Sequence, residues 1–221
     1  MRQRPISLEY FAMETFTTLA SILAVLCIGV ISPGPSFVLV ARTAIGSSRQ
    51  AGVASALGMA AGACLLSVAA LLGLHALLQQ LPWAYWGLKL VGGVYLLYLG
   101  LKIWQGAKTP LLLADTGPLT TAGGRRHFLI GAGTMLSNPK AAVVYGVIFA
   151  ALLPHTPSLA LSLALPPSVF LLEGSWYLLV ALALSAARPR QAYLRAKTAM
   201  DRVTGTVLGL LGIKLLLSSS Q

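Results

Sequence analysis

Gly29–Arg42, GVISPGPSFVLVAR, places Pro33, Gly34 and Pro35 in the middle of an apolar run that is otherwise long enough to cross a bilayer as one helix. Each proline lacks a backbone N–H and clashes with the preceding turn, and Gly34 weakens the helix between them. Carbonyls from Cys27 to Ile31 therefore lose their partners, and the helix kinks or unwinds. Against lipid, every such orphaned group is costly, so the break must face protein or a water-filled cavity. A second break of this kind lies at Leu136–Ala142, LSNPKAA, with Asn138 ahead of Pro139 and Lys140 behind it.

The composition around these breaks is that of an integral membrane protein. The 221 residues are 57% hydrophobic and only 10% charged, and a mean hydropathy of +0.80 lies above the range of soluble domains. The net charge of +11 comes from Lys and Arg dispersed between apolar segments, without a basic tail or an aromatic-interleaved basic face, so no nucleic-acid partner is expected. Cys27 and Cys64 both sit in apolar runs and read as small buried hydrophobes, not as a disulfide or a thiolate metal site. No cofactor is implied.

Six continuous apolar segments reach the roughly 20 residues that a helix needs to span a bilayer, at about 16–40, 52–78, 83–104, 128–153, 159–186 and 203–217. Their continuity excludes a barrel, whose strands alternate. Basic residues fall on alternate loops: Arg42 and Arg49 after the first segment, Lys102, Lys108, Arg125 and Arg126 after the third, and Arg188, Arg190, Arg195, Lys197 and Arg202 after the fifth. The other two loops, QQLP and LPHTPS, carry none. The basic loops are placed in the cytoplasm and both termini outside. Arg2 and Arg4 oppose this orientation. Met13 begins METFTTLASILAV, a natural start, and residues 1–12 read as a dispensable extension. The Gly-, Thr- and Pro-rich stretch within 106–127 reads as a cytoplasmic linker.

The linker divides two related halves, 13–105 and 128–221. VGGVYLLYLGLKI from Val91 aligns with VTGTVLGLLGIKL from Val203, bringing Gly93, Gly100 and Lys102 into register with Gly205, Gly212 and Lys214. An odd number of crossings per unit reverses the second copy, so the fold class is an all-α membrane protein built from two inverted three-helix repeats, as in secondary transporters. Two interrupted helices in the two halves point to the transport site. Its candidate residues are Pro33, Gly34, Pro35, Ser36, Asn138, Pro139, Lys140 and Glu173.

Glu173, inside SVFLLEGSWYLLVALAL, is an intramembrane carboxylate that should face the interior. Three roles compete for it: structural partner of Lys140, proton carrier, or contact to a substrate ammonium. Lys140 is either that partner or a group for a substrate carboxylate. Lys89 reads as snorkelling to the interface, and Trp83, Trp86 and Trp104 as an interfacial belt, whereas Trp176 reads as packing. His75, His127 and His155 have no metal-ligand spacing. Gly52, Ala56, Gly58 and Gly62 form a small-residue stripe suited to close helix contact.

With ISPGPSFVLVARTAIGSSRQAGVASALGMAAGA, LKLVGGVYLLYLGLKIW and MLSNPKAAVVY, the chain resembles the LysE/RhtB family of bacterial amino-acid exporters over about residues 13–217. The residue after the Pro-Gly-Pro, often Asp or Asn in that family, is Ser36 here. The resemblance implies two inverted three-helix repeats in the bacterial inner membrane. It also implies export of amino acids or derivatives, of the neutral threonine, homoserine or leucine type, coupled to proton entry. The expected partners are a small amino-acid substrate and the lipid bilayer, with a homodimer left open. The alternative is a membrane protein of non-transport function, enzyme or structural. Against an enzyme, no HExxH, GxSxG or aspartyl-dyad pattern occurs. Against a thiol-redox transporter, Cys27 has no counterpart near Gly133.

Overall fold

The computed structural model of the chain describes residues 8–80, 82–110, 123–154 and 156–218, and every regular element among them is a helix. Residues 1–7 of the expected extension, 111–122 of the expected linker, His155 and the side chain of Trp83 lie outside the described residues. In chain order the helices are α1 Leu8–Ile31, α2 Pro35–Gly46, α3 Arg49–Gln80, α4 Pro82–Gly106, α5 Gly124–Leu136, α6 Pro139–Leu152, α7 Leu159–Leu184 and α8 Ala187–Ser218. Both proline-containing motifs interrupt a helix. The first separates α1 from α2, and the second separates α5 from α6, which meet at a bend of 56°. Proline alone does not do this: α7 runs through Pro166 and Pro167 without ending.

Among the described residues, four stretches are long and apolar enough to cross a membrane, Met13–Ile31, Arg49–Gln79, Trp86–Gly106 and Leu159–Leu184, with a fifth if the bent α5–α6 pair is taken as one span. The six expected segments thus differ from the structure at two places. Segment 16–40 stops at Ile31, because the Pro-Gly-Pro ends the helix, and α2 is a separate apolar helix of 12 residues. Segment 203–217 is the second half of α8, which already begins at Ala187. The basic stretch 187–202 is therefore helix, not loop. It is built from good helix formers, with Pro189 in the first turn, where no backbone donor is needed.

Local chemistry starts the helices where the chain turns. Ser48 accepts a hydrogen bond from the Ala51 amide and starts α3, and Ser158 accepts one from the Leu161 amide and starts α7. The fold then depends on close helix contact. A Cβ on Gly100 would meet the Gly205 carbonyl oxygen at 2.5 Å, one on Gly205 the Gly100 oxygen at 2.6 Å, and one on Gly212 the Gly93 oxygen at 2.7 Å. The backbones of α4 and α8 therefore touch, with Gly93 opposite Gly212 and Gly100 opposite Gly205, which makes the pair antiparallel. The small-residue stripe of α3 does the same job: Gly58 and Gly62 lie against the α5 backbone, and Gly52 against Ala44 of α2. Outside this core, Leu65, Leu72, Leu163, Leu171 and Leu210 are each more than half exposed, a surface suited to lipid.

Candidate functional site

At the first break, Pro35 lacks the N–H that would bond the Ile31 carbonyl, and Pro33 the one that would bond Gly29. The expected row of orphaned carbonyls is filled in part. The Tyr193 hydroxyl donates to the Ile31 oxygen at 3.1 Å, and the Thr204 hydroxyl to the Ile28 oxygen at 2.9 Å. The Ser32 hydroxyl in turn donates to Asp201 at 2.8 Å. All three partners sit on α8, which thus caps the end of α1. Tyr193 also stacks on Phe37 of α2, with ring centroids 4.6 Å apart and planes 18° from parallel.

The two half-helices that start at the breaks differ. α6 is capped by its own sequence: the Asn138 side-chain oxygen accepts from the Lys140 and Ala141 amides at 3.1 and 3.4 Å. α2 follows Gly34, which has no side chain to cap it, so the Ser36 and Phe37 amides donate to no acceptor among the described residues. One hydrogen bond joins the breaks, from the Asn138 amide nitrogen to the Ser36 hydroxyl at 3.2 Å.

Where they meet is a cavity of about 60 Å³, lined by Gly34, Pro35, Ser36, Asn138, Lys140 and Glu173 of the expected site, together with Ser32, Tyr145 and Tyr177. Pro33 and Pro139 are not among its walls. Pro139 borders a second hollow, of about 480 Å³, beside α5. Glu173 is buried, at 5% exposure. One of its oxygens accepts from the Tyr145 hydroxyl at 2.8 Å, and the other, Oε2, is buried with no hydrogen-bond partner among the described residues. Lys140 lies over Gly34, its ammonium nitrogen 3.7 Å from where a Cβ on that glycine would be. Glu173 and Lys140 share the cavity, and no direct ion pair joins them among the described residues.

A second buried charge pair was not foreseen. Lys197, expected as a cytoplasmic loop charge, is buried on α8 and bonds Asp201 at 2.7 Å. Its ammonium also reaches the Ala107 and Gly106 carbonyls at 3.2 and 3.4 Å, and Thr198 donates to Ala107 at 3.2 Å, so that α8 caps the end of α4 as well. The i, i+4 spacing of Lys197 and Asp201 is the sequence signal that marks the pair. Tyr145 and Tyr177 were missed too, since a tyrosine in an apolar run reads as packing. His127, next to Arg125 and Arg126 in the sequence, is buried, and its Nε2 has no hydrogen-bond partner among the described residues. No group of residues fit to hold a metal occurs among the described residues.

A sequence profile described as LysE type translocator matches residues 27–219. The threonine efflux protein of Salmonella typhi is 30% identical over 86% of this chain and 93% of its own length. That of Escherichia coli K12 is 28% identical over the same shares. The leucine efflux protein of Salmonella choleraesuis is 28% identical over 67% of this chain and 69% of its own. No solved structure matches the chain.

Proposed function

The chain belongs to the LysE type translocator family, and from that premise we propose that it exports neutral amino acids of the threonine, homoserine or leucine type from the cytoplasm, coupled to proton entry. It is a membrane translocator of the bacterial inner membrane and not an enzyme. The observation that carries the substrate reading is the meeting of both helix breaks, joined by the Ser36–Asn138 hydrogen bond, at one cavity that also holds Lys140 and Glu173. At about 60 Å³ the cavity has room for about four waters. Alternating access requires the helices around this cavity to move so that it opens to either side in turn. Glu173, the one acid among the cavity walls, is in this reading the group that holds proton and substrate in turn.

The proposed architecture is two inverted three-helix repeats, 13–105 and 128–221, with both termini outside. What supports it is the α4–α8 contact. Gly93 and Gly100 align in sequence with Gly205 and Gly212, yet pair crosswise in space, Gly93 with Gly212 and Gly100 with Gly205. A two-fold axis perpendicular to the helices produces this crossing.

Replacing Pro33, Gly34 and Pro35 together by alanine tests the site. The substitution restores backbone donors and gives about 3 kcal/mol of local helix propensity per proline, so membrane abundance should hold. Efflux of threonine and leucine from loaded vesicles should fall to background, because a continuous helix removes the α2 start from the cavity. Normal efflux from a well-expressed triple variant would reduce the break to a packing kink.

A further inference from the structure

The proposed site has two helix starts, several unwound carbonyls, one lysine and one acid to offer a zwitterion, and the hydrogen bonds already made within the protein remove most of them. The α6 amides at Lys140 and Ala141 are taken by Asn138. The Ile28 and Ile31 carbonyls are taken by Thr204 and Tyr193. Asp201, behind Ser32, is taken by Lys197. Apart from the Gly29 carbonyl, which Pro33 frees, three groups at the cavity make no hydrogen bond among the described residues: the amides of Ser36 and Phe37 at the uncapped start of α2, the Lys140 ammonium above Gly34, and Oε2 of Glu173. The first two are positive and adjacent. The third is negative, and buried.

Resting on the transport reading above, we infer that the α2 start and Lys140 seat the substrate carboxylate and that Glu173 seats the α-ammonium, which makes Lys140 and Glu173 the residues that demand a free carboxylate and a free amine. A helix start presents amides and a partial positive charge to an anion, and Lys140 adds a full charge beside it. A carboxylate with one oxygen held by Tyr145 and the other unpartnered is a half-satisfied acceptor, which a substrate N–H completes. An opposite pair that shares a cavity without contact leaves both charges for a ligand that carries both. Leu26, Val30, Val144 and Leu208, also in the walls, leave an apolar surround for the side chain. The substrate class is thus an unmodified α-amino acid with an uncharged side chain.

The test reads binding apart from transport. Purified full-length protein in detergent is heated with L-leucine or L-threonine, with the amide of each, which lacks the carboxylate charge, or with the α-hydroxy acid of each, which lacks the ammonium. The ligand-induced rise in Tm gives relative affinities. Wild type should prefer the amino acid over both analogues by about tenfold or more. In Lys140→Met the preference over the amide should collapse to within about twofold while that over the hydroxy acid persists. Glu173→Gln should do the reverse. Lys140→Arg should keep both preferences, and Lys140→Gln serves if the methionine variant is not recovered from the membrane. The crossed pattern, or equal loss of both preferences in both variants, would overturn the assignment. Failure of wild type to bind or export either amino acid would instead overturn the transport reading on which it rests.

Discussion

The protein sets two lysines near two acids and treats them in opposite ways. Lys197 and Asp201 touch at 2.7 Å, and their remaining capacity is filled by Ser32 and by the carbonyls at the end of α4. Lys140 and Glu173 share a cavity without touching, and one carboxylate oxygen has no partner. A buried pair whose hydrogen bonds are complete holds helices in place. Keeping two opposite charges apart in the interior costs stability, because desolvation is then not offset by contact, and such an arrangement persists where something else completes it. The satisfied pair joins α8 to α1 and α4. The unsatisfied one lies where the helices are broken.

Removing a lysine from each cluster should separate the two designs most widely. Lys197→Met leaves Asp201 buried without its ion-pair partner, a loss of about 3–5 kcal/mol, and membrane abundance should collapse. Adding Asp201→Leu to it should recover most of that abundance, since an apolar replacement of a whole buried pair is close to neutral. Lys140→Met should leave abundance near wild type while efflux per molecule falls to background. Quantitative blotting beside vesicle efflux decides it, and an abundance loss as large for Lys140→Met as for Lys197→Met would erase the contrast.

The hydrogen bond that joins the breaks should show a smaller effect. Asn138→Ala removes the bridge to Ser36 and the cap of α6 together, and loss of such a cap alone costs about 1 kcal/mol. Ser36→Ala removes only the bridge, for about 1 kcal/mol or less. The expected order in Tm is therefore wild type, Ser36→Ala, Asn138→Ala. Equal Tm values for the two variants would mean that the Asn138 cap contributes nothing.

The two clusters also differ in how far they can be read from the chain. Both breaks were legible because proline acts locally: Pro33, Pro35 and Pro139 remove donors whatever surrounds them. Glu173 was legible because a lone acid in an apolar run has no innocuous explanation. Asp201 was hidden by its neighbours, since among Arg195, Lys197 and Arg202 it reads as one more charge of a cytoplasmic loop. Only the long α8 helix, with Asp201 near its middle, turns Lys197 and Asp201 inward. What α8 does to α1 was beyond reach for a related reason: Tyr193 and Thr204 lie more than 160 residues from the carbonyls they satisfy, and nothing local pairs them. Proline signals that carbonyls will be freed. It does not say who will take them.

Tyr193 offers the finest test, because it belongs to the satisfied network yet ends at the broken helix. Tyr193→Phe deletes the hydroxyl that bonds the Ile31 carbonyl and keeps the ring stacked on Phe37. The carbonyl is left half-buried beside a cavity that holds polar groups, so water can replace the lost donor at a net cost of about 1 kcal/mol. That corresponds to a fall in Tm of about 2–4 °C for a chain of this size, with efflux close to wild type. If α8 only holds the end of α1, stability and transport separate in this way. Should efflux drop as far as in Lys140→Met while Tm barely moves, the Tyr193 bond would itself take part in transport, and the line between a holding cluster and a binding cluster would have to be redrawn to place α8 on the binding side.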